Sequence, residues 1–264
     1  MNTQFWSSDA LTADHERHSG DVEREIAATR LAMRPCSKRI WVRENGESHM
    51  FKVTRKGVGP LDTKHGRFHL FYFEIDDLWR EYYALVKAQL DDDFMPVFNS
   101  NSLFMRIDSG CVTGQVFLDR TCECREQLEQ AMADVSAEGD GLIVHIPRQD
   151  GRGMGLPFKL ATLALQEKLG LDTVEAARVV AGSGYIDSRT YAGVVAILRF
   201  FGISNCGINL ATNNPKKEKV FLENSYRLSA RSIVIGPTAH TARHLLAKQQ
   251  ALGHRNLVPA GAAG

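Results

Sequence analysis

From Gly66 onward, short apolar runs of strand character alternate with segments of helical spacing, and that alternation restricts the chain to a mixed α/β domain. Strands are expected at Gly66 to Ile75 (GRFHLFYFEI), Tyr82 to Leu90, Ser102 to Ile107, Leu142 to Ile146, Cys206 to Ala211 and Arg231 to Ile235. Helices are expected at Arg125 to Val135, Pro157 to Leu169, Val174 to Ala181, Arg189 to Phe201 and Thr238 to Ala251. The first sixty residues read differently, with a charged helix near Asp21 to Met33 and two short strand-like runs, Arg39 to Arg43 and His49 to Thr54. The Gly57-Val-Gly-Pro60 punctuation suggests a boundary. The expected organisation is a small N-terminal extension, residues 1–60, before a catalytic domain over residues 61–264.

Three of the five cysteines cluster as Cys111, then a ten-residue gap, then Cys122-Glu-Cys124. Thiols gathered this way can supply three tetrahedral positions on one soft or borderline divalent metal, with Zn2+ the first choice. No fourth Cys or His stands nearby, so one position would remain open. An open position on zinc is where water becomes hydroxide near neutral pH, and the spacing therefore points to hydrolysis. The alternative is that the thiols pack as small hydrophobes. Cys36 and Cys206 lie far from the cluster and read as packing residues.

Composition narrows the partners. The chain has 264 residues, 44% hydrophobic and 24% charged, with 32 basic against 31 acidic side chains, which leaves no electrostatic footprint for nucleic acid or an anionic membrane. No long apolar run suits a membrane span, and the polar start lacks the features of a secretory signal. The cysteine usage fits a reducing compartment, and the expected location is the cytoplasm.

Any anionic ligand must then be met by local charge. Arg148-Gln-Asp-Gly-Arg-Gly-Met-Gly places two guanidinium groups and three glycines before a helix, which lets backbone N–H groups approach a phosphate while the arginine forks bind its oxygens. Thr212-Asn-Asn-Pro-Lys-Lys217 ends a strand, opens a helix with proline and sets two lysines in its first turn, where a bound phosphate would supply the negative charge a helix N-terminus favours. Asp187-Ser-Arg189 precedes another expected helix and reads either as an N-cap or as part of a site.

Taken in order, these motifs resemble the GTP cyclohydrolase II family from about Leu61 to His254. The anchors are Arg106-I-D-Ser109-G-Cys111-V-T-G, Cys122-E-Cys124-R-E-Gln127-L, RQDGRGMGL, Leu171-DTVEA, Asp187-S-Arg189 and Thr212-NNPKK. The resemblance implies a zinc ion on Cys111, Cys122 and Cys124 that supplies hydroxide to C8 of a purine ring and releases that carbon as formate. It implies Asp187 as general acid/base and Arg189 acting at the α-phosphorus with loss of pyrophosphate. As nucleophile a guanidinium is a poor candidate because it is always protonated; stabilising charge on the phosphoryl group needs only its positive fork. Arg106, Ser109, Gln127, Arg148, Asp150, Gly151, Arg152, Thr173, Thr212 and Lys217 match nucleotide-contacting positions, Mg2+ is expected with the triphosphate, and a homodimer is implied.

The departures from the family pattern bear on the product. A tyrosine of the helix after the glycine-rich loop is here Leu163, which can neither donate a hydrogen bond nor transfer a proton. A glutamate before the first cysteine is Gly110, a glutamate of the loop is Asp150, and an asparagine after the T-V-E-A run is Ala177. The leading expectation is ring opening of GTP, which can stop at a formylamino-pyrimidine nucleotide. A second is the same chemistry on a uridine or modified purine nucleotide, and a third is a non-enzymatic nucleotide-binding regulator.

Overall fold

The computed structural model describes residues 21–182, 184–204 and 206–258. An eight-stranded mixed sheet forms its centre, in the order β1-β2-β3-β4-β8-β7-β9-β10. β1 (Cys36–Glu44), β2 (Glu47–Thr63), β3 (Gly66–Ile75) and β4 (Glu81–Lys87) make an antiparallel meander, and β4 pairs antiparallel with β8 (Gly141–Ile146). β8, β7 (Ser102–Ser109), β9 (Gly207–Ala211) and β10 (Arg227–Arg231) run parallel to one another. A two-stranded pair, β5 (Gln89–Leu90) with β6 (Pro96–Val97), links β4 to β7.

The strand sequences explain their places. In β3 every buried side chain but one is aromatic, with Phe68, Phe71, Phe73 and Ile75 turned inward, the pattern of a strand with packed faces. β8 reads GLIVHI and is buried almost throughout, as expected of a strand with neighbours on both edges and helices on both faces. Its Leu142, Val144 and Ile146 join the main core with α5 (Ala192–Phe200), while Ile143 joins Ala131 and Val135 of α2 (Cys124–Glu138) on the opposite face. α5 is buried all round except at Arg199, consistent with its nearly unbroken apolar sequence AGVVAILRF.

A third cluster holds α3 (Leu156–Leu169), α4 (Thr173–Ala181) and α7 (Ala242–Leu252) together through Phe158, Val174, Ala177 and Ala247. Asp172 caps α4 through a complete capping box with Glu175. α6 (Pro215–Glu223) follows β9, with proline in its first turn and Asn214 as its N-cap. The charged helix α1 runs through residues 21–32. No helix among the described residues is long and apolar enough to cross a membrane.

Several expected element bounds are corrected. The last strand lies at Arg227–Arg231, not Arg231 to Ile235; its RLSAR sequence is short, largely exposed and weakly apolar, and it is placed by pairing with the parallel edge of β9. α5 begins at Ala192, because Arg189 is held in the preceding loop by Asp187, and α7 begins at Ala242, after a turn closed by Thr238 and Thr241. The two strand-like runs expected before residue 60 are longer than expected, as β1 and as β2, which continues through Gly57–Pro60 to Thr63. Cys36 and Cys206 pack against the main core as expected.

Candidate active site

The three parallel strands β7, β8 and β9 end side by side, and the loops leaving their carboxyl ends carry the chemistry. This is where open α/β sheets place ligands. β7 runs into Cys111, β8 into the Arg148–Gly155 loop, and β9 into Thr212–Asn214. One cavity is lined by all three, together with residues from α2, α3, α4 and α7.

At one end stand the cysteines. Their sulfurs lie within 4.8 Å of one another, and Cys111 Sγ and Cys122 Sγ are 3.9 Å apart. Four sulfurs about 2.3 Å from a tetrahedral zinc would be separated by about 3.8 Å, so the spacing fits that ion. The residues after Cys111 form a short π-helical turn, Val112–Val116, that folds over the sulfurs. A Cβ on Gly114 would come 2.5 Å from Cys122 Sγ and 3.3 Å from Cys111 Sγ, so the turn closes only with glycine there. Gln115 ties the two halves of the trio: its Oε1 accepts from the Cys111 N–H at 3.1 Å, and its Nε2 donates to Asp108 at 2.8 Å and to the Cys124 carbonyl at 3.5 Å. Asp108 is fixed in turn by His145 Nδ1 at 2.7 Å.

Lys159, in the first turn of α3, donates to Cys111 Sγ at 2.9 Å. Hydrogen bonding from Cys122 and Cys124, aided by Lys159, holds the Cys111 thiol below its ordinary pKa, while the same contact with Cys111 pushes Cys122 up to about 11. A metal bound by the three sulfurs would displace their protons.

The other end is cationic. Arg106, Arg152, Arg189 and Lys217 all line the cavity. Arg106 donates to Gln127 Oε1 at 2.7 Å, and Lys217 reaches back to the Ile107 carbonyl at 2.8 Å. Arg152 rests on the Thr173 hydroxyl at 3.2 Å. Burial, then repulsion by Arg106 and Arg189, pushes the Lys217 ammonium well down; burial and Arg189 lower Arg152 to about 10. Like charges crowded this way favour an anion between them. Arg189 is held by a bidentate pair with Asp187, at 2.9 and 3.0 Å, and Lys216 adds a third contact to that carboxylate at 3.1 Å. Burial alone would raise Asp187; Arg189 and Lys216 outweigh it and hold the carboxyl well below the usual range. The carboxylate does not cap α5, whose N-cap is Tyr191.

Of the residues expected from sequence, Arg106, Ser109, Gln127, Asp150, Gly151, Arg152, Thr173, Arg189, Thr212, Lys217 and the three cysteines line this cavity. Asp187 stands behind Arg189, off the cavity wall. Arg148 is not brought to it: its guanidinium is exposed and paired with Glu81 at 2.6 Å on another face. Asp150 accepts from the Val112 N–H at 3.0 Å, which anchors the start of the turn over the sulfurs. Leu163 lines the cavity with its methyl groups. At Gly110 a Cβ would meet the Ile146 carbonyl and Pro147 Cα at 2.8 Å, so that position has no room for any side chain.

Sequence reasoning missed Lys159, Glu123, His244, Lys248 and His254, which all line the cavity. Lys159 could have been noticed as the cation directly after the glycine-rich loop. The three C-terminal residues carry no local signal, because they reach the site only through the packing of α7.

Against known proteins, the family described as GTP cyclohydrolase II matches residues 54–226. The GTP cyclohydrolase-2 of Buchnera aphidicola subsp. Baizongia pistaciae (strain Bp) is 32% identical over 204 residues, 77% of this chain and 96% of that protein. The GTP cyclohydrolase-2 of Neisseria gonorrhoeae (strain ATCC 700825 / FA 1090) is 35% identical over 195 residues, 74% of this chain and 92% of that one. The riboflavin biosynthesis protein RibBA of Thermotoga maritima (strain ATCC 43589 / DSM 3109 / JCM 10099 / NBRC 100826 / MSB8) is 38% identical over 208 residues, 76% of this chain but 48% of that longer protein.

Proposed function

The chain belongs to the GTP cyclohydrolase II family, and from that premise we propose that it opens the imidazole ring of a purine nucleoside triphosphate, GTP first, with release of pyrophosphate. The observation that carries the reading is the single cavity in which a buried thiol trio faces a cluster of buried cations. The thiols suit a zinc ion held by Cys111, Cys122 and Cys124, which when bound would supply a Lewis-acidic open position. The cations suit a triphosphate, whose remaining charge Mg2+ would offset.

The residues divide the work by position. Lys217, Arg152 and Arg106, each held by a neighbour, orient the phosphates and so place the base at the thiol end. Arg189 is buried and its positive form is favoured by Asp187, which supports electrostatic stabilisation of the transferring phosphoryl group over attack by nitrogen. Asp187 in this reading orients Arg189. The general acid/base role implied by the resemblance would require a carboxylate free to take a proton, and three donor contacts oppose that.

Leu163 favours a specific product. With no phenol at Leu163, and the neighbouring Thr162 hydroxyl donating to the Lys159 carbonyl, the second hydrolysis loses a proton donor, and the reaction stops at the formylamino-pyrimidine nucleotide. A homodimer and a cytoplasmic location complete the proposal. The experiment is a nucleotide panel including GTP, ATP, UTP and a modified purine triphosphate, with products identified by mass and formate and pyrophosphate assayed separately. GTP consumption with pyrophosphate but little formate is expected. GTP left intact overturns the reading, and turnover of UTP alone moves the chemistry to a different base.

A further inference from the structure

We infer that His244, on the C-terminal helix α7, is the general acid–base of ring opening. The inference rests on the ring-opening reading and adds a residue to it from outside the family-matching segment, residues 54–226. Hydrolysis of the imidazole ring adds one water: its oxygen becomes bonded to C8, the C8–N9 bond breaks, and its two protons end on N7 and N9. Some group must take a proton as the O–C8 bond forms and return one to the departing nitrogen.

Most acid–base side chains around the cavity are engaged in a hydrogen bond or ion pair; Gln149 and the Ser109 hydroxyl are buried without a partner among the described residues, but neither takes up a proton near neutral pH. Asp108 is taken by His145 and Gln115, at 2.7 and 2.8 Å. Asp150 accepts from Val112, and Glu123 accepts from Lys248 and Gln127, both at 3.1 Å. Lys159 is engaged with Cys111, and Asp187 with Arg189 and Lys216. Leu163 brings no proton. Two imidazoles remain, His244 and His254, which line the cavity with no side-chain hydrogen bond among the described residues.

Their surroundings separate them. The charges nearest His254 are Lys248, Arg189, Lys217 and Arg152, which belong to the phosphate end. Those facing His244 are Lys248 from its own helix, Arg152 from the glycine-rich loop, Lys159 from α3 and Cys111 after β7, which places it toward the thiol end where the ring would lie. Burial and these cations keep His244 neutral, so it enters the reaction able to accept a proton. Bound phosphates would offset Arg152 and make acceptance easier.

The helix face that carries His244 is fastened at the thiol end. Lys248, one turn further along α7, pairs with Glu123 at 3.1 Å with both side chains buried, and Glu123 lies between the two cysteines of the C-x-C pair.

The test compares wild-type protein with His244→Gln, measuring GTP consumption, metal content and thermal unfolding. A fall in kcat of about 100-fold or more is expected, with KM changed less than about threefold and metal content unchanged. The acid limb of the kcat/KM profile, present in the wild type, should disappear in the variant. His244→Asn repeats the measurement if H244Q unfolds early. Equal kcat for wild type and variant, a change confined to KM, or an unaltered acid limb overturns the inference alone. A wild type that leaves GTP intact overturns the ring-opening reading and the inference with it.

Discussion

Asn213 and Arg255 exchange two hydrogen bonds: the Arg255 N–H donates to the Asn213 carbonyl at 2.9 Å, and the Asn213 carboxamide donates to the Arg255 carbonyl at 2.8 Å. The same carboxamide oxygen accepts from the Ile233 N–H at 2.9 Å. Asn213 thus fastens the segment after α7 onto the loop at the end of β9. Asn213→Ala leaves two backbone partners unpaired and is expected to cost about 1–3 kcal/mol. The loss should be local: hydrogen exchange would rise in residues 242–258, and KM for the nucleotide would rise with it. Unchanged exchange in that segment would refute the latch.

Gly114 is the position where the thiol trio is most sensitive to shape. A methyl group there meets Cys122 Sγ at 2.5 Å, so the sulfur it displaces is one of the trio itself. Gly114→Ala should weaken metal binding by about 10- to 100-fold, the scale of losses on disturbing the surroundings of metal ligands. Competition with a chromophoric chelator measures this directly, and Cys122→Ser, which deletes a ligand, should do worse.

The acid stability of the fold should depend on Asp187 and His254. Asp187 has a depressed pKa in the folded state, so its stabilisation is complete above the unfolded value, about 3.9, and is lost as pH falls through the folded one. His254 is pushed down to about 3, by burial first and then by Lys248 and Arg189. Between about 6.5 and 3 the unfolded chain therefore binds more protons at this residue than the folded one, and stability falls as pH falls through that window. Urea midpoints between pH 7 and pH 4 should drop more steeply for wild type than for His254→Gln. Asp187→Asn should instead flatten the slope below pH 4.

Leu163→Tyr restores a phenol to the cavity wall. If the missing hydroxyl limits the second hydrolysis, formate per GTP consumed should rise from near zero toward one, with pyrophosphate release unchanged. A wild type that already releases one formate per GTP would show that Leu163 is no obstacle.

Much of the site was legible because its chemistry is written in short segments. Cys124 opens α2 with Cys122 just before it, and the earlier cysteine follows β7 by two residues. The glycine-rich and Thr212 loops follow strands that turned out to be adjacent and parallel, which brings their anion-binding groups together. Arg148 belonged to the same motif, yet Glu81 draws it to the opposite side. Motif membership does not dictate side-chain direction.

By itself the sequence determined the order of elements, the metal-type thiols and the phosphate-type loops, because periodicity, turn chemistry and ligand spacing act over a few residues. Tertiary structure decided the rest. It set Asp187 behind Arg189 and not on the α5 cap, gave RLSAR a parallel edge, left Gly110 no room, and delivered His244 and Lys248 from a distant helix and His254 from just beyond it. Each of those depends on which surfaces pack across the sheet, and packing joins residues that local pattern keeps far apart.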